Sequence, residues 1–313
     1  MARQKGIVIR STGSWYRVLT EDEQIIECRI KGKFRLAGLK STNPVTIGDI
    51  VYFHPEPKLN CAVIDKIEER KNALVRKSLN LSSRSHIIAS NLDFGVLIIT
   101  LKQPNIKPEF IDRFLVIAEA YDIKPVIVIN KTDLLIKTDE AKLQYYKQLY
   151  RDIGYPVVVM SALNGDNLDQ LKKILDGKVS LFAGQSGVGK STILNLLNPG
   201  LSIKTDNLAK VSGKGRHTTS NYEMFLLWKN TFAIDSPGIK EMGLYKFELY
   251  EIGLFFPDLK KYVDSCRFNT CLHMNEPGCG VKNAVEKGLI DINRYNNYLN
   301  IIEDYKNELE SIF

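Results

Sequence analysis

The chain has 313 residues, 44% of them hydrophobic and 25% charged, with a formal net charge of +7. That length admits two or three domains, and the composition fits a soluble globular protein. No apolar run approaches the roughly eighteen residues of a membrane span, the longest being the strand-sized 95–100.

The charge is unevenly placed. Residues 1–80 hold 15 Lys and Arg against 9 Asp and Glu, so six of the seven excess positive charges sit in the first quarter. That asymmetry points to nucleic acid as a partner. In the same stretch, polar and apolar residues alternate at 6–10, 15–19, 25–30, 49–53 and 61–67. Short alternating runs separated by turn signals predict five strands and an OB-type barrel. Arg29, Lys31, Lys33, Phe34, Arg35 and Lys40 interleave charge with an aromatic ring, as RNA and single-strand binders do. A solvated lysine-rich loop would have the same composition. Cys28 and Cys61 lie in strand-like runs and read as buried hydrophobes. Residues 71–84 read as a basic, serine-rich linker into a strand at 94–100.

The next apolar run, 125–129, reads as a buried parallel strand that carries Asn130, Lys131, Thr132 and Asp133 at its C-terminal end. Ligands of doubly wound sheets bind at that edge. An Asp carboxylate there can accept from both N1–H and the 2-amino group of guanine, neither of which adenine offers. A site built on such an acceptor can reject the wrong base by about 10⁴-fold. Lys131 would lie along the base plane, and Asn130 would tie this loop to the phosphate loop. A strand at 156–160 then leads to Ser161, Ala162 and Leu163, where a backbone N–H can meet guanine O6.

After a third apolar run, 179–183, comes Gly184, Gln185, Ser186, Gly187, Val188, Gly189, Lys190, Ser191 and Thr192, followed by helical periodicity. Strand, glycine-rich loop and helix in that order form a phosphate loop. Its N–H groups face the β-phosphate, Lys190 reaches the β/γ-oxygens, and the Ser191 hydroxyl can ligate Mg²⁺. The guanine motif stands about fifty residues upstream of this loop, whereas GTPases ordinarily place it downstream. The order of the parts is permuted.

Between 198 and 222 lie Gly215, Arg216, His217, Thr218 and Thr219. One of the two threonines is the candidate Mg²⁺ and γ-phosphate contact, and spacing does not choose between them. The run 226–234 reads as one further strand, ending in Asp235, Ser236, Pro237 and Gly238, the D-x-x-G that senses the γ-phosphate. Ile239 stands where Ras-like enzymes carry the glutamine that positions water, and Ile cannot do so. His217 is the candidate for that task, or else a solvated or RNA-contacting loop residue. Hydrolysis by such a site should be slow until a partner orders the loop.

Cys266, Cys271, His273 and Cys279 offer three thiolates and an imidazole in a loop-rich stretch. That donor set suits a closed, structural Zn²⁺ site. Without a secretory signal a disulfide pairing is disfavoured. Tyr295, Tyr298, Leu299, Ile302, Tyr305 and Leu309 fall at helical spacing in an acidic tail, which reads as packing.

An OB-like start, then NKTD, SAL, GQSGVGKS, GRHTT, DSPG and C-x4-C-x-H-x5-C, together resemble the RsgA family of circularly permuted, ribosome small-subunit-dependent GTPases over essentially the whole chain. The resemblance implies a cytoplasmic GTP hydrolase that binds the 30S subunit and its 16S rRNA late in maturation. It implies stimulation by that subunit and departure after hydrolysis. It carries guanine recognition to Asn130, Lys131, Asp133, Ser161 and Ala162, phosphate binding to 187–192, catalysis to His217 and zinc to the four ligands above. Ser236 departs from the family, which more often has Thr.

The expected architecture is multi-domain α/β: an OB-fold RNA-binding barrel at 1–72, a circularly permuted P-loop GTPase domain with a doubly wound sheet at 82–243, and a zinc-binding and helical domain at 246–313. Expected cofactors are GTP or GDP, Mg²⁺ and one Zn²⁺, and the expected state is a monomer away from membranes. A competing reading is an RNA-binding assembly factor whose nucleotide site is mainly a scaffold. A third, a P-loop ATPase or small-molecule kinase, is opposed by Asp133.

Overall fold

The computed structural model of the chain describes residues 3–30, 44–56, 61–76, 86–203, 222–235, 242–244 and 247–310. β1 (Gln4–Thr12), β2 (Trp15–Thr20), β3 (Ile25–Ile30), β4 (Ile50–Glu56) and β5 (Cys61–Ile67) close a barrel in the order β1-β2-β3-β5-β4-β1. β3 and β5 run parallel, and the other neighbours are antiparallel. Alternation fills the interior with Val8, Tyr16, Val18, Cys28, Val51, Phe53 and Ile64. Burial pushes the Cys28 thiol up to about 12. Cys61 differs from expectation: it opens β5 opposite Glu56, at the end of the pairing, and is only half-buried.

β1 carries an irregularity between Val8 and Arg10. Before it, the strand pairs with β4, closing the barrel; after it, Arg10 pairs with Glu223 of a second sheet. A bulge bends a strand and re-aims the residues beyond it. Here that bend lets one strand serve two sheets.

The second sheet contains β8 (Phe94–Thr100), β9 (Lys124–Asn130), β10 (Val157–Val159), β11 (Val179–Gly184), β12 (Glu223–Trp228) and β13 (Thr231–Asp235), in the order β10-β9-β8-β11-β13-β12. All neighbours are parallel except β12 and β13. The predicted single strand at 226–234 is therefore a hairpin. Its turn is only Lys229 and Asn230, with Asn230 left-handed at φ 55, so apolar residues flank it closely enough to read as one run. Val126, Ile127, Val128 and Ile129 have no exposed surface, as expected for a strand covered on both faces. α1 (Pro108–Ala120), α2 (Glu140–Ile153), α3 (Leu168–Leu175) and α4 (Lys190–Leu197) supply the covers.

The predicted linker is also partly strand. β6 (Ala73–Arg76) pairs antiparallel with β7 (His86–Ser90), and this hairpin is pressed against the barrel. Gly48 sits at φ +89, where a Cβ would stand 2.1 Å from Ser90 O. Only glycine fits that contact. Beside it the fully buried Asp49 accepts from Thr46 N (2.8 Å), Ser90 Oγ (2.6 Å) and Arg70 Nε and Nη2 (2.6 and 2.7 Å).

After the sheet come a 3₁₀ turn (Leu249–Phe255), α5 (Pro257–Val263), α6 (Gly280–Glu286) and α7 (Ile292–Glu310). Tyr295, Tyr298, Ile302 and Tyr305 are buried, with Leu299 and Leu309 packed beside them, so the tail's periodicity does serve packing. Arg294 of α7 is fully buried and holds Asp112 of α1 (2.5 Å) and both oxygens of Asp258 of α5 (2.6 and 3.0 Å). Asn297 and Tyr150 also donate to Asp112, at 2.6 and 3.1 Å. Burial works against the charge on Arg294, but Asp112 and Asp258 carry its pKa well above the ordinary value.

Candidate nucleotide site and metal centre

Parallel strands end on the same side, so β11, β8, β9 and β10 bring their C-terminal loops together. β11 ends in Gly184, from which the phosphate loop runs into α4 with Gly189 as N-cap. Gly189 has φ +95, and a Cβ there would stand 2.4 Å from Asn130 Nδ2. The loop can thus lie directly on Asn130. Asn130 Nδ2 donates to Val188 O at 2.8 Å, while its Oδ1 accepts from Ala162 N at 2.9 Å. One buried amide ties three loops, 130–133, 161–163 and 184–191. A buried amide with both ends bonded fixes geometry, because any shift would leave a polar atom unpaired.

Asp133 is solvent-facing and accepts from Ser161 Oγ at 2.5 Å, and the same hydroxyl accepts from Asn164 N at 3.3 Å. Ser161 thereby orients the carboxylate. Ala162 departs from the simplest expectation, since its N–H is engaged by Asn130. Lys131 is left-handed at φ 62 and reaches Gln103 O with Nζ at 2.7 Å. Thr132 lies beside it, its N–H on Met160 O at 3.3 Å. Lys190 and Ser191 are buried at the start of α4, and Lys190 Nζ lies 2.6 Å from Asp235 Oδ1 at the end of β13. The ammonium and that carboxylate converge on the mouth of the phosphate loop.

His217, Thr218, Thr219, Gly238 and Ile239 lie outside the described residues, as do Lys31, Lys33, Phe34, Arg35 and Lys40. Of the candidate RNA contacts, Arg29 is described. It is exposed on β3, and its guanidinium stacks 3.8 Å from the centre of the Trp15 ring across the β2–β3 ladder. Trp15, not anticipated as part of that face, could have been found from strand register: a cross-strand pair of an aromatic and an arginine makes a flat, cationic surface.

The Cys and His ligands converge. One ligand atom from each of Cys266, Cys271, His273 and Cys279 lies within 4.8 Å of all the others. His273 Nδ1 is 3.4 Å from Cys266 Sγ and 3.5 Å from Cys279 Sγ, and those two sulfurs are 3.9 Å apart. Burial pushes the Cys271 thiol up to about 12 and the His273 imidazole down. The neutral imidazole is the ligand form, whereas buried thiols need a cation to ionise. Gly280 N and Lys282 N point at the sulfurs of Cys266 and Cys279 (3.3 and 3.4 Å). The loop is braced from outside: Tyr295 and Tyr298 hydroxyls donate to His273 O and Leu272 O, each at 2.6 Å. Although burial opposes it, Glu276 is held below the usual carboxylate range by the N–H groups of Leu272, Met274 and Asn275. Four converging N and S donors with a braced surround can hold a metal ion.

Comparison with known proteins places these parts in one family. Residues 67–245 match the model of the RsgA GTPase, and residues 5–63 that of the RsgA N-terminal domain. The small ribosomal subunit biogenesis GTPases RsgA 2 of Bacteroides thetaiotaomicron and RsgA of Christiangramia forsetii are each 47% identical to the chain, over 96% of both lengths. A crystal structure of YjeQ from Thermotoga maritima is 34% identical, with a TM-score of 0.79 over 97% of this chain and 98% of that one. That of YloQ, described as a circularly permuted GTPase, is 32% identical, with a TM-score of 0.77 over 98% of this chain and 96% of that one.

Proposed function

The chain belongs to the RsgA GTPase family, and from that premise we propose that it hydrolyses GTP to GDP and phosphate while assisting maturation of the small ribosomal subunit. One observation carries the reading: Asn130 binds the phosphate loop with one end of its amide and the 161–163 loop with the other, so base-reading and phosphate-reading parts form a single site despite their inverted order in the chain. Asp133, oriented by Ser161, accepts from N1–H and the 2-amino group of guanine, and the Lys131 stem lies on the base. The N–H groups of Gly184, Gln185, Ser186, Gly187, Val188 and Gly189 cradle the phosphates, with Lys190 on the β/γ-oxygens and Thr192 at the start of α4.

Ser191, Asp235 and Thr218 or Thr219 would hold Mg²⁺, whose charge would neutralise the phosphate oxygens as the bond breaks. Gly238 would sense the γ-phosphate, and His217 would orient the attacking water. Without a glutamine at Ile239, the rate rests on a partner that orders the loop. We assign that partner to the 30S subunit and its 16S rRNA, gripped by the basic barrel face of Arg29, Lys31, Lys33, Phe34, Arg35 and Lys40, with Trp15 as a stacking platform.

The metal is assigned to zinc. A tetrahedral ion with metal–sulfur bonds of about 2.3 Å has sulfur–sulfur edges of about 3.8 Å, and the observed 3.9 Å between Cys266 and Cys279 supports the fit. Metal analysis should return one zinc per chain, and its loss in Cys271→Ser. Among the described residues no helix is long and apolar enough to cross a membrane. We place the protein in the cytoplasm as a monomer.

The decisive experiment is GTP hydrolysis by the purified protein alone, with small subunits and with large subunits. Stimulation by small subunits only, lost in Asp133→Asn, is expected. Equal rates in all three would instead favour a nucleotide site that acts as a scaffold.

A further inference from the structure

The loop between β8 and α1 belongs to none of the nucleotide motifs, yet it lies against two of them. Gln103 O accepts from Lys131 Nζ at 2.7 Å. A Cβ on Gly187 of the phosphate loop would stand 3.8 Å from Pro104 Cδ. The loop is also held from beneath. Thr100, fully buried at the end of β8 and paired in register with Asn130, donates its hydroxyl to Pro104 O at 2.6 Å. Outside, Asn105 accepts from Lys142 Nζ at 2.9 Å, and Lys102 pairs with Asp139.

Resting on the nucleotide-site reading above, we propose that residues 100–104 form an additional wall of the purine pocket, in which Thr100 fixes the Gln103 carbonyl and that carbonyl sets the pose of Lys131. Lys131 has four rotatable bonds and a left-handed backbone. A free lysine stem would sample many rotamers, and laying it flat on a base would then cost side-chain entropy at the moment of binding. An acceptor at 2.7 Å removes that freedom beforehand. Gln103 itself is left-handed at φ 48, a conformation uncommon outside glycine, asparagine and aspartate. The Thr100 hydroxyl closes the turn one residue further on, at Pro104 O. Thr100 is therefore a positioning residue. It acts through Pro104 and Gln103 on Lys131, and has no part in reading the base edge.

This separates two quantities. Guanine against hypoxanthine is read by the carboxylate of Asp133, because hypoxanthine lacks the 2-amino group; stacking by Lys131 treats the two purines alike. Thr100→Val keeps the shape and removes the donor. We expect the Kd of GDP and of IDP to rise together by about three- to ten-fold, the usual reach of one lost hydrogen bond, with their ratio unchanged and Thr100→Ser near wild type. Pro104→Gly, which loosens the backbone of the same turn while keeping the Thr100 donor, should act in the same direction should Thr100→Val prove unstable. In a Lys131→Met background, Thr100→Val should add nothing. Wild-type affinity in both Thr100→Val and Pro104→Gly, or an undiminished effect in the Lys131→Met background, overturns the proposal. Asp133→Asn, assayed beside them, tells the two failures apart. If it leaves GDP binding intact, the nucleotide-site reading falls and this inference with it; if it weakens GDP while Thr100→Val does not, only this inference falls.

Discussion

The mostly parallel sheet is joined to the barrel at its edge and to the C-terminal helices across one of its covering helices, and both seams are built around a buried carboxylate gripped by an arginine. At the barrel seam Asp49 is held by Arg70, Thr46 and Ser90, and strand pairing runs alongside: β1 with β12, and Ile47 with Ala89. At the C-terminal seam Arg294 holds Asp112, 182 residues away, with both side chains fully buried. Arg70 keeps about a fifth of its side chain in water. The first seam shares its load with backbone hydrogen bonds, some between nearby stretches, as at Ile47 and Ala89, and some across most of the chain, as at Arg10 and Glu223. Among the described residues, the second joins segments far apart in the chain through side-chain hydrogen bonds and packing. With no strand pairing described there to fix the register, the second seam relies on the more specific side-chain lock. α7 and α5 are thereby fastened to α1 and α2.

The largest expected effect comes from breaking that lock. Arg294→Met strips the cation from two buried carboxylates, Asp112 and Asp258, and removing one partner of a buried pair typically costs about 3–5 kcal/mol. Denaturant unfolding should show either a loss of that size or an early separate transition of the C-terminal module. Adding Asp112→Asn and Asp258→Asn to Arg294→Met should recover part of it, and an unchanged midpoint in the single variant would contradict a locked seam. The corresponding change at the other seam, Asp49→Asn, keeps one acceptor oxygen but weakens the tie to a partly solvated Arg70. Losing such bonds amounts to about 1–3 kcal/mol, and hydrogen exchange should rise in β7 before it rises in α1. Were Asp49→Asn the costlier of the two, backbone pairing would not be sharing the load. The partly solvated Arg10–Glu223 pair, at 3.8 Å, adds at most about 1 kcal/mol to the barrel seam.

Legibility in the sequence divides between local and long-range contact. The phosphate loop, the 130–133 motif and the Cys and His ligands each lie within a short stretch, and local strand, turn and helix chemistry sets their spacing. The barrel was legible because alternation reports which face is buried. Trp228 and Thr231 bracket a turn of only two residues, too short to interrupt an apolar run, so a hairpin resembles one strand. The pairing of Arg294 with Asp112 leaves no local mark, since a lone arginine in a helical pattern ordinarily faces solvent. Gln103 was invisible for another reason: it acts through its carbonyl, which every residue has.

The strand order has a consequence for how the protein is made. β11 lies between β8 and β13 in space, but β8, β9 and β10 all precede it in the chain. Domains emerge from the ribosome N-terminal end first. The half that carries the 130–133 motif is therefore synthesised before the strand that fills the slot beside β8, and the Val188 partner of Asn130 comes only 58 residues later. The edge of β8 that pairs with β11 therefore has no strand partner in the chain made before residue 179, and the 184–191 loop follows directly on the strand that fills it.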